Sequence, residues 1–285
     1  MKRILLTGSS GQVGSAIAKR LLPDYTVLGL DLAPGQYTTH SGNIADTVLI
    51  DSLMGQVDAV IHTASLHAPH VKSRSRADFI ATNVEGTQRL LEAALKHGMS
   101  RFVYTSTTSL YGRAMVSTEK AVWVTEELSP APRDIYDETK LAAEAYCREA
   151  ARHGLPCHGL RISRCFRETD ALMAAYRLYR GVDLRDVAEA HRLALLVNLP
   201  RFEVFNISAR TPFEPEDTTE LLHNAPAAIR RRCPELESEF AKRGWRLPPS
   251  IDRVYVITKA EKVLGFSPRY NYDAFLAENA SPSDF

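Results

Sequence analysis

The chain has 285 residues, is 45% hydrophobic and 24% charged, and carries a net charge of +1. That length suits one large α/β unit with a small appended lobe. The near-neutral balance excludes a broad basic footprint for nucleic acid or an anionic membrane surface. The first apolar run is too short for a secretion signal or a membrane span. The four cysteines, Cys147, Cys157, Cys165 and Cys233, lack metal-ligand spacing. Reduced thiols in a cytoplasmic protein, and no metal site, are therefore expected.

An apolar strand over residues 3–7 leads into a helical pattern over 12–22, halted by Pro23. Further strands are predicted over 26–30, 58–62, 101–106, 157–162 and 203–207. Amphipathic helices over 76–97, 135–153 and 184–198 lie between them. Short apolar strands separated by such helices imply parallel pairing, hence an α/β fold with a Rossmann-type doubly wound sheet. After Ile207 prolines cluster and the helical pieces shorten, which marks a small C-terminal substrate lobe. The sheet unit is placed at 1–162, with 184–208 returning to it, and the lobe at 163–183 and 209–285. Arg230, Arg231 and Arg232 read as a solvated helix face, and residues 279–285 as a loose end.

Gly8, Gly11 and Gly14, with Gln12 and Val13 between them, sit in the turn from the first strand to the first helix. Glycines there permit a tight turn, close backbone approach to a pyrophosphate, and close helix-on-strand packing. The helix N-terminus adds free N–H groups and a positive dipole end. The context predicts a dinucleotide. Asp31 ends the second strand, where a carboxylate accepts ribose hydroxyls and repels a 2′-phosphate, which favours NAD over NADP. An ordinary turn Asp before Pro34 is the other reading.

Tyr136 and Lys140 are four apart in a helical pattern and share one face. A Lys ammonium beside a phenol favours the phenolate, so the Tyr pKa is expected to fall from about 10 toward neutrality. Such a phenol exchanges a proton with an alcohol while a nicotinamide exchanges the hydride. An exposed, inert Tyr–Lys pair is the bland alternative. His67 and His70 follow the third strand at its ligand-binding end, as substrate-loop contacts or as plain surface loop.

The chain resembles the extended short-chain dehydrogenase/reductases, the group of NAD-dependent sugar epimerases and dehydratases. The resemblance covers roughly residues 1–210, with a fainter echo over 252–271. It rests on Thr7 to Gly14, Asp31, Asn43-Ile44, His62-Thr63-Ala64-Ser65, Asn83, Thr105-Ser106-Thr107, Tyr136 with Lys140, and Asp186 to Ala190. It implies Tyr136 as acid/base and Lys140 as the group that lowers its pKa and holds the nicotinamide ribose. It implies Thr107 as the hydroxyl that meets the substrate oxygen, with Ser106 or Thr108 as register alternatives. Asn83 is implied near the active site, or is simply a polar group buried in its helix. Asn43 and Ile44 are implied at adenine, and Thr63, Ala64, Ser65 and Thr105 along the cofactor path.

The family's dehydratases usually carry an Asp-Glu pair after the active-site Thr; Thr108-Ser109 stands here, which argues against dehydration. Arg164 replaces an Asn that holds the nucleotide diphosphate in sugar-nucleotide enzymes, and the segment from Phe166 to Asp186 is short. Arg164, Arg167 and Arg177 are candidates for a diphosphate or a carboxylate, and Arg253 for an anionic group. The Arg-Ile-x-x-Cys-Phe run is similar to uronate dehydrogenases. The first expectation is an NAD-dependent epimerase-type enzyme acting on a sugar or nucleotide-sugar hydroxyl. The second is a dehydrogenase of a small sugar acid, and the third a silent NAD-sensing regulator. A homodimer through the 76–97 and 135–153 helices is implied by the resemblance.

Overall fold

The computed structural model describes residues 2–279. Among these, the strands are β1 (Arg3–Thr7), β2 (Thr26–Asp31), β3 (His40–Ser41), β4 (Ala59–His62), β5 (Arg101–Thr107), β6 (Val122–Val124), β7 (Cys157–Ile162), β8 (Glu203–Ile207) and β9 (Arg253–Tyr255). Seven of them form one sheet in the order β3-β2-β1-β4-β5-β7-β8. Every pairing in it is parallel. The helices are α1 (Gln12–Leu21), α2 (Thr47–Met54), α3 (Arg76–Phe79), α4 (Gly86–Lys96), α5 (Ile135–Arg152), α6 (Asp170–Tyr176), α7 (Leu184–Leu196), α8 (Thr218–Arg232), α9 (Leu236–Lys242), α10 (Thr258–Leu264) and α11 (Tyr272–Glu278). No helix among the described residues is long and apolar enough to cross a membrane.

The doubly wound arrangement follows from strands that are apolar on both faces. Ile4, Leu6, Ile61 and Val103 point to one side and pack with Ile17, Ala18 and Leu21 of α1 and Val187, Ala190 and Ala194 of α7. Their neighbours Leu5, Val60, Phe102 and Tyr104 point to the other side and pack with residues of α2, α4 and α5. After β1 the chain builds outward through β2 and β3, then crosses back to β4 on the other side of β1. The crevice beyond the carboxyl ends of β1 and β4 is therefore the switch point where such sheets bind ligands.

Three features differ from the sequence expectation. The helix expected over 76–97 is broken by a π-helical stretch, Ile80–Glu85, between α3 and α4. The wider turn presents Asn83 to the loop after β4, a tertiary bond that local periodicity does not encode. Val122–Val124 lies inside the segment assigned to the sheet unit, yet β6 pairs in parallel with β9. Ala121 beside it joins a separate core with Phe213, Ile229, Phe240, Ile251, Val254 and Phe275. Finally, β3 and α2 went unpredicted, the first because two residues carry no period. The loose end expected at 279–285 falls, past Asn279, outside the described residues. Arg230, Arg231 and Arg232 do sit on an exposed helix turn, each paired with Glu237, Asp217 or Glu220.

Candidate active site

The turn after β1 is built for close approach. Gly8 has φ +75, and a Cβ there would meet Thr63 Oγ1 at 2.5 Å and the Ala64 backbone N at 2.7 Å. A Cβ on Gly14 would lie 2.0 Å from the Gly8 carbonyl oxygen, so only glycine lets α1 sit this tightly on the turn. Gly11 is the N-cap of α1 and offers no side-chain cap. The first N–H groups of the helix thus face the crevice without an internal acceptor. Asp31 is held by two backbone donors, its Oδ2 accepting from Ser10 N (3.0 Å) and its Oδ1 from Ala33 N (3.1 Å).

A cleft of about 590 Å³ runs along these elements. Asp31, Asn43 and Ile44 line one end, Gly8, Gly11, Gln12, Val13 and Gly14 the middle with Thr63, Ala64 and Ser65, and Thr105, Tyr136 and Lys140 the other end. All the cofactor positions expected from the sequence are thereby brought to one crevice. An uncapped helix start, backbone space that any side chain would fill, and a fixed carboxylate at the far end fit a dinucleotide.

At the Tyr136 end, Lys140 Nζ donates to the Thr105 carbonyl (2.6 Å) and sits 4.3 Å from the centre of the Tyr104 ring. The Thr105 hydroxyl is bonded to His191 Nε2 on α7 (2.8 Å). His191 Nδ1 meets the Val187 carbonyl (2.8 Å), which only accepts, so Nδ1 carries the proton and Thr105 donates to Nε2. Tyr136 keeps part of its surface open to the cleft, and it shares the wall of a neighbouring cleft with Thr107.

The expected fall in the Tyr136 pKa is not what the protein alone shows. Burial pushes the phenol well above its ordinary range, and the Thr107 hydrogen bond opposes this only in part. Burial also pushes Lys140 down to about 7, against the pull of Glu144. A lysine only partly charged near neutral pH has reduced leverage on the phenol. The sequence shows that the two groups share a face; it does not show how dry that face is.

Several expected substrate residues are placed differently. The Ser106 hydroxyl donates to Glu144 in the core (2.6 Å), so it is turned away from a substrate. Thr107 and Thr108 do line the next cleft. The Asn83 amide is fully engaged, accepting from Leu66 N (2.8 Å) and Ser65 Oγ (3.1 Å) and donating to Leu66 O (2.9 Å) and Thr139 Oγ1 (3.1 Å). It positions the loop after β4 rather than touching a reactant. Arg177 is buried and bonded to Asp183 (2.7 Å) and the Tyr270 carbonyl (3.0 Å), so it ties the lobe together instead of offering a free guanidinium. His67 stacks on Phe166 across the cofactor cleft, with ring centres 5.7 Å apart, while His70 Nδ1 accepts from the His67 backbone.

Beside Thr107 and Tyr136 opens a second cleft of about 330 Å³. Among the described residues, Arg133, Arg164, Arg180 and Arg253 line it, and no carboxylate does. Arg164 pairs with Glu168 and Arg253 with Asp252 behind the wall. Arg180 lies on the Tyr176 ring, 4.9 Å from its centre. Arg133 and Arg180 escape sequence reasoning because the segment before α5, the segment between β7 and α7, and β9 converge only in the fold.

The model of the NAD dependent epimerase/dehydratase family matches residues 4–170, more than half of the chain. The chain belongs to this family. As a member it is 35% identical over 182 residues to a dTDP-glucose 4,6-dehydratase of Streptomyces antibioticus, covering 57% of this chain and 52% of that protein. It is 32% identical over 167 residues to a protein of Bacillus subtilis named as an uncharacterized UDP-glucose epimerase, covering 51% and 50%. The chain's matches therefore span about half the length of these curated relatives. Among solved structures, a short-chain dehydrogenase/reductase superfamily protein from Agrobacterium tumefaciens with bound NAD superposes with a TM-score of 0.73 at 24% identity, over 97% of this chain and 95% of that one. A UDP-glucose 4-epimerase of Thermotoga maritima with UDP-glucose superposes at 0.72 and 23%, over 96% of each chain. These structures share the family's fold.

Proposed function

We propose that this family member is an NAD-dependent enzyme of the epimerase type, which reversibly oxidises a hydroxyl of an anionic sugar-type substrate. One observation carries the reading. Tyr136 and Thr107 stand where the glycine-lined cofactor cleft meets a cleft walled by four arginines and no acid. NAD held in the first cleft would supply the group that exchanges hydride with the substrate carbon, and its positive charge would favour the Tyr136 phenolate. Gly8, Gly11 and the open N-terminus of α1 hold the pyrophosphate, and Asp31 the adenosine ribose.

The chain's own residues then move one proton. The Thr107 hydroxyl orients the substrate oxygen, and the Tyr136 oxygen takes or returns its proton. Lys140 stabilises negative charge on Tyr136 and holds the nicotinamide ribose. Arg164, Arg180 and Arg253 fix the substrate anion, which sets which hydroxyl reaches Tyr136. His67 and Phe166 roof the cleft and keep water out.

The second reading is a dehydrogenase of a small sugar acid. The modest arginine-lined cleft and the short 163–183 segment favour it over a large nucleotide-sugar. Absorbance of NADH, recorded with sugar acids and nucleotide-sugars in separate reactions, separates the two. Stoichiometric NADH with one free acid makes the enzyme a dehydrogenase. Stereochemical exchange by NMR without net NADH makes it an epimerase, and silence with both classes refutes the proposal. A homodimer through the 76–97 and 135–153 helices belongs to the same proposal, and Ile80 and Tyr146 are exposed on these segments. A monomeric mass by sedimentation at micromolar concentration would sink it.

A further inference from the structure

Below the reacting groups lies a charged cluster with no part in the chemistry described so far. Glu144 is fully buried on α5, one turn after Lys140. Its Oε1 accepts from Ser106 Oγ (2.6 Å) and Arg161 Nε (2.9 Å), and its Oε2 from Arg161 Nη2 (2.7 Å). Arg161, on β7, turns its remaining arm away, donating through Nη1 to the Tyr111 hydroxyl (2.9 Å), which donates to Asn206 Oδ1 (2.8 Å). The pair is thus oriented, with its carboxylate toward Lys140 and the strand end, and its guanidinium toward the lobe.

Ser106 is the middle residue of the strand end that does the positioning. Thr105 before it holds Lys140 through its carbonyl, and Thr107 after it lines the same cleft as Tyr136. The carboxylate therefore grips the strand between these two positions, one helical turn from Lys140 on α5.

We propose that Glu144 is a positioning residue, the counter-charge that keeps Lys140 an ammonium inside a dry site and holds Thr105 and Thr107 in register with it. The proposal rests on the reading of Tyr136 and Lys140 given above. The groups around Lys140 make Glu144 stand out. On α5 they are Tyr136, Glu144 and Cys147; on β5 the Tyr104 ring and the Thr105 carbonyl; on β4 the neutral His62; and on the loop beyond it His67. Glu144 is the one carboxylate that supports the Lys140 charge, while burial opposes it and pushes the group down to about 7. Residues four apart on a helix lie about 5–6 Å apart at Cβ. At an effective dielectric near 20, a unit charge about 6–12 Å away shifts a lysine by about one to two pH units, and the Arg161 guanidinium on the same carboxylate reduces that.

The test is the titration of Lys140 itself, read by the pH dependence of amine acetylation mapped to its peptide by mass spectrometry. It is run on the full-length protein, without and with NAD. Three proteins are compared: wild type, Glu144→Gln, and the double variant Glu144→Gln/Arg161→Met. The last removes both buried charges, so that no guanidinium is left unpaired. The expected result is a labelling midpoint lowered by about one to two units in Glu144→Gln, and lowered by less in the double variant, where the opposing Arg161 charge goes too. The basic limb of turnover should move to lower pH by the same amount. A midpoint in the folded double variant equal to wild type overturns the proposal. So does turnover lowered evenly at all pH values, which is the mark of a merely structural role. The labelling needs no substrate, so a failed search for activity leaves this test intact and the two ideas separable.

Discussion

Gly14→Ala probes the cofactor turn through a single added carbon. The new Cβ would lie 2.0 Å from the Gly8 carbonyl oxygen, 2.8 Å from its carbon and 3.0 Å from Ser9 Cα. Ordinary contact begins near 3.5 Å, so the start of α1 must move from the turn by about 1 Å or more. All three contacts are backbone, which cannot rotate away. Overpacking of this kind costs about 1–3 kcal/mol, and the better helix propensity of alanine returns at most about 1 kcal/mol. The net is a loss of about 1–2 kcal/mol, or a melting temperature lower by about 2–6 °C for a chain of this size. The larger effect falls on binding. Displacing the N–H groups that meet the pyrophosphate forfeits one hydrogen bond to a charged group, about 1.5–3 kcal/mol, so NAD binds about 10- to 100-fold more weakly. Calorimetric titration with NAD and thermal unfolding measure the two effects. Gly98→Ala is the control. Its φ is +64 and nothing lies within 4 Å of the added Cβ, so it carries backbone strain of about 1 kcal/mol with NAD affinity unchanged. A Gly14→Ala protein that binds NAD and melts as the wild type does would refute the argument.

Tyr136→Phe keeps the ring in the cleft and removes the oxygen proposed to transfer the proton. Turnover should fall about 10²- to 10⁴-fold while NAD affinity holds, and residual turnover near the wild-type rate would remove Tyr136 from its role. Arg180→Ala should raise KM about 10- to 100-fold for an anionic substrate, with kcat little changed; equal KM values would place the anion elsewhere. Acid stability follows from two buried histidines. Burial pushes His62 down to about 3 and His191 to about 4, while in the unfolded chain both titrate near 6.5. The unfolded state therefore binds more protons between those values, so stability is whole above pH 6.5 and is lost as pH falls toward 4. Each group contributes up to about 1.4 kcal/mol per pH unit. Urea midpoints measured from pH 7 to pH 4.5 should decline, and His191→Gln should flatten the curve.

The sequence by itself determined the parallel sheet, because runs such as Ile4-Leu5-Leu6 and Val60-Ile61 are apolar at every position and need cover on both faces. It determined the cofactor turn as well, because glycine spacing after a strand is a local constraint. The Tyr136–Lys140 pair was legible for the same reason, since four residues on one helix fix a shared face. What the sequence could not carry is what happens when distant segments meet. Ser106 and Thr107 are adjacent on a strand and chemically alike, and only the position of Glu144 turns one hydroxyl into the core and leaves the other for Tyr136. Arg177 and Arg180 are three apart, and Asp183 takes one while the other faces the second, arginine-lined cleft. The pKa values of Tyr136 and Lys140 belong to this class too. Proximity along a helix predicts the attraction between them, but the desolvation that outweighs it comes from strands and loops tens of residues away.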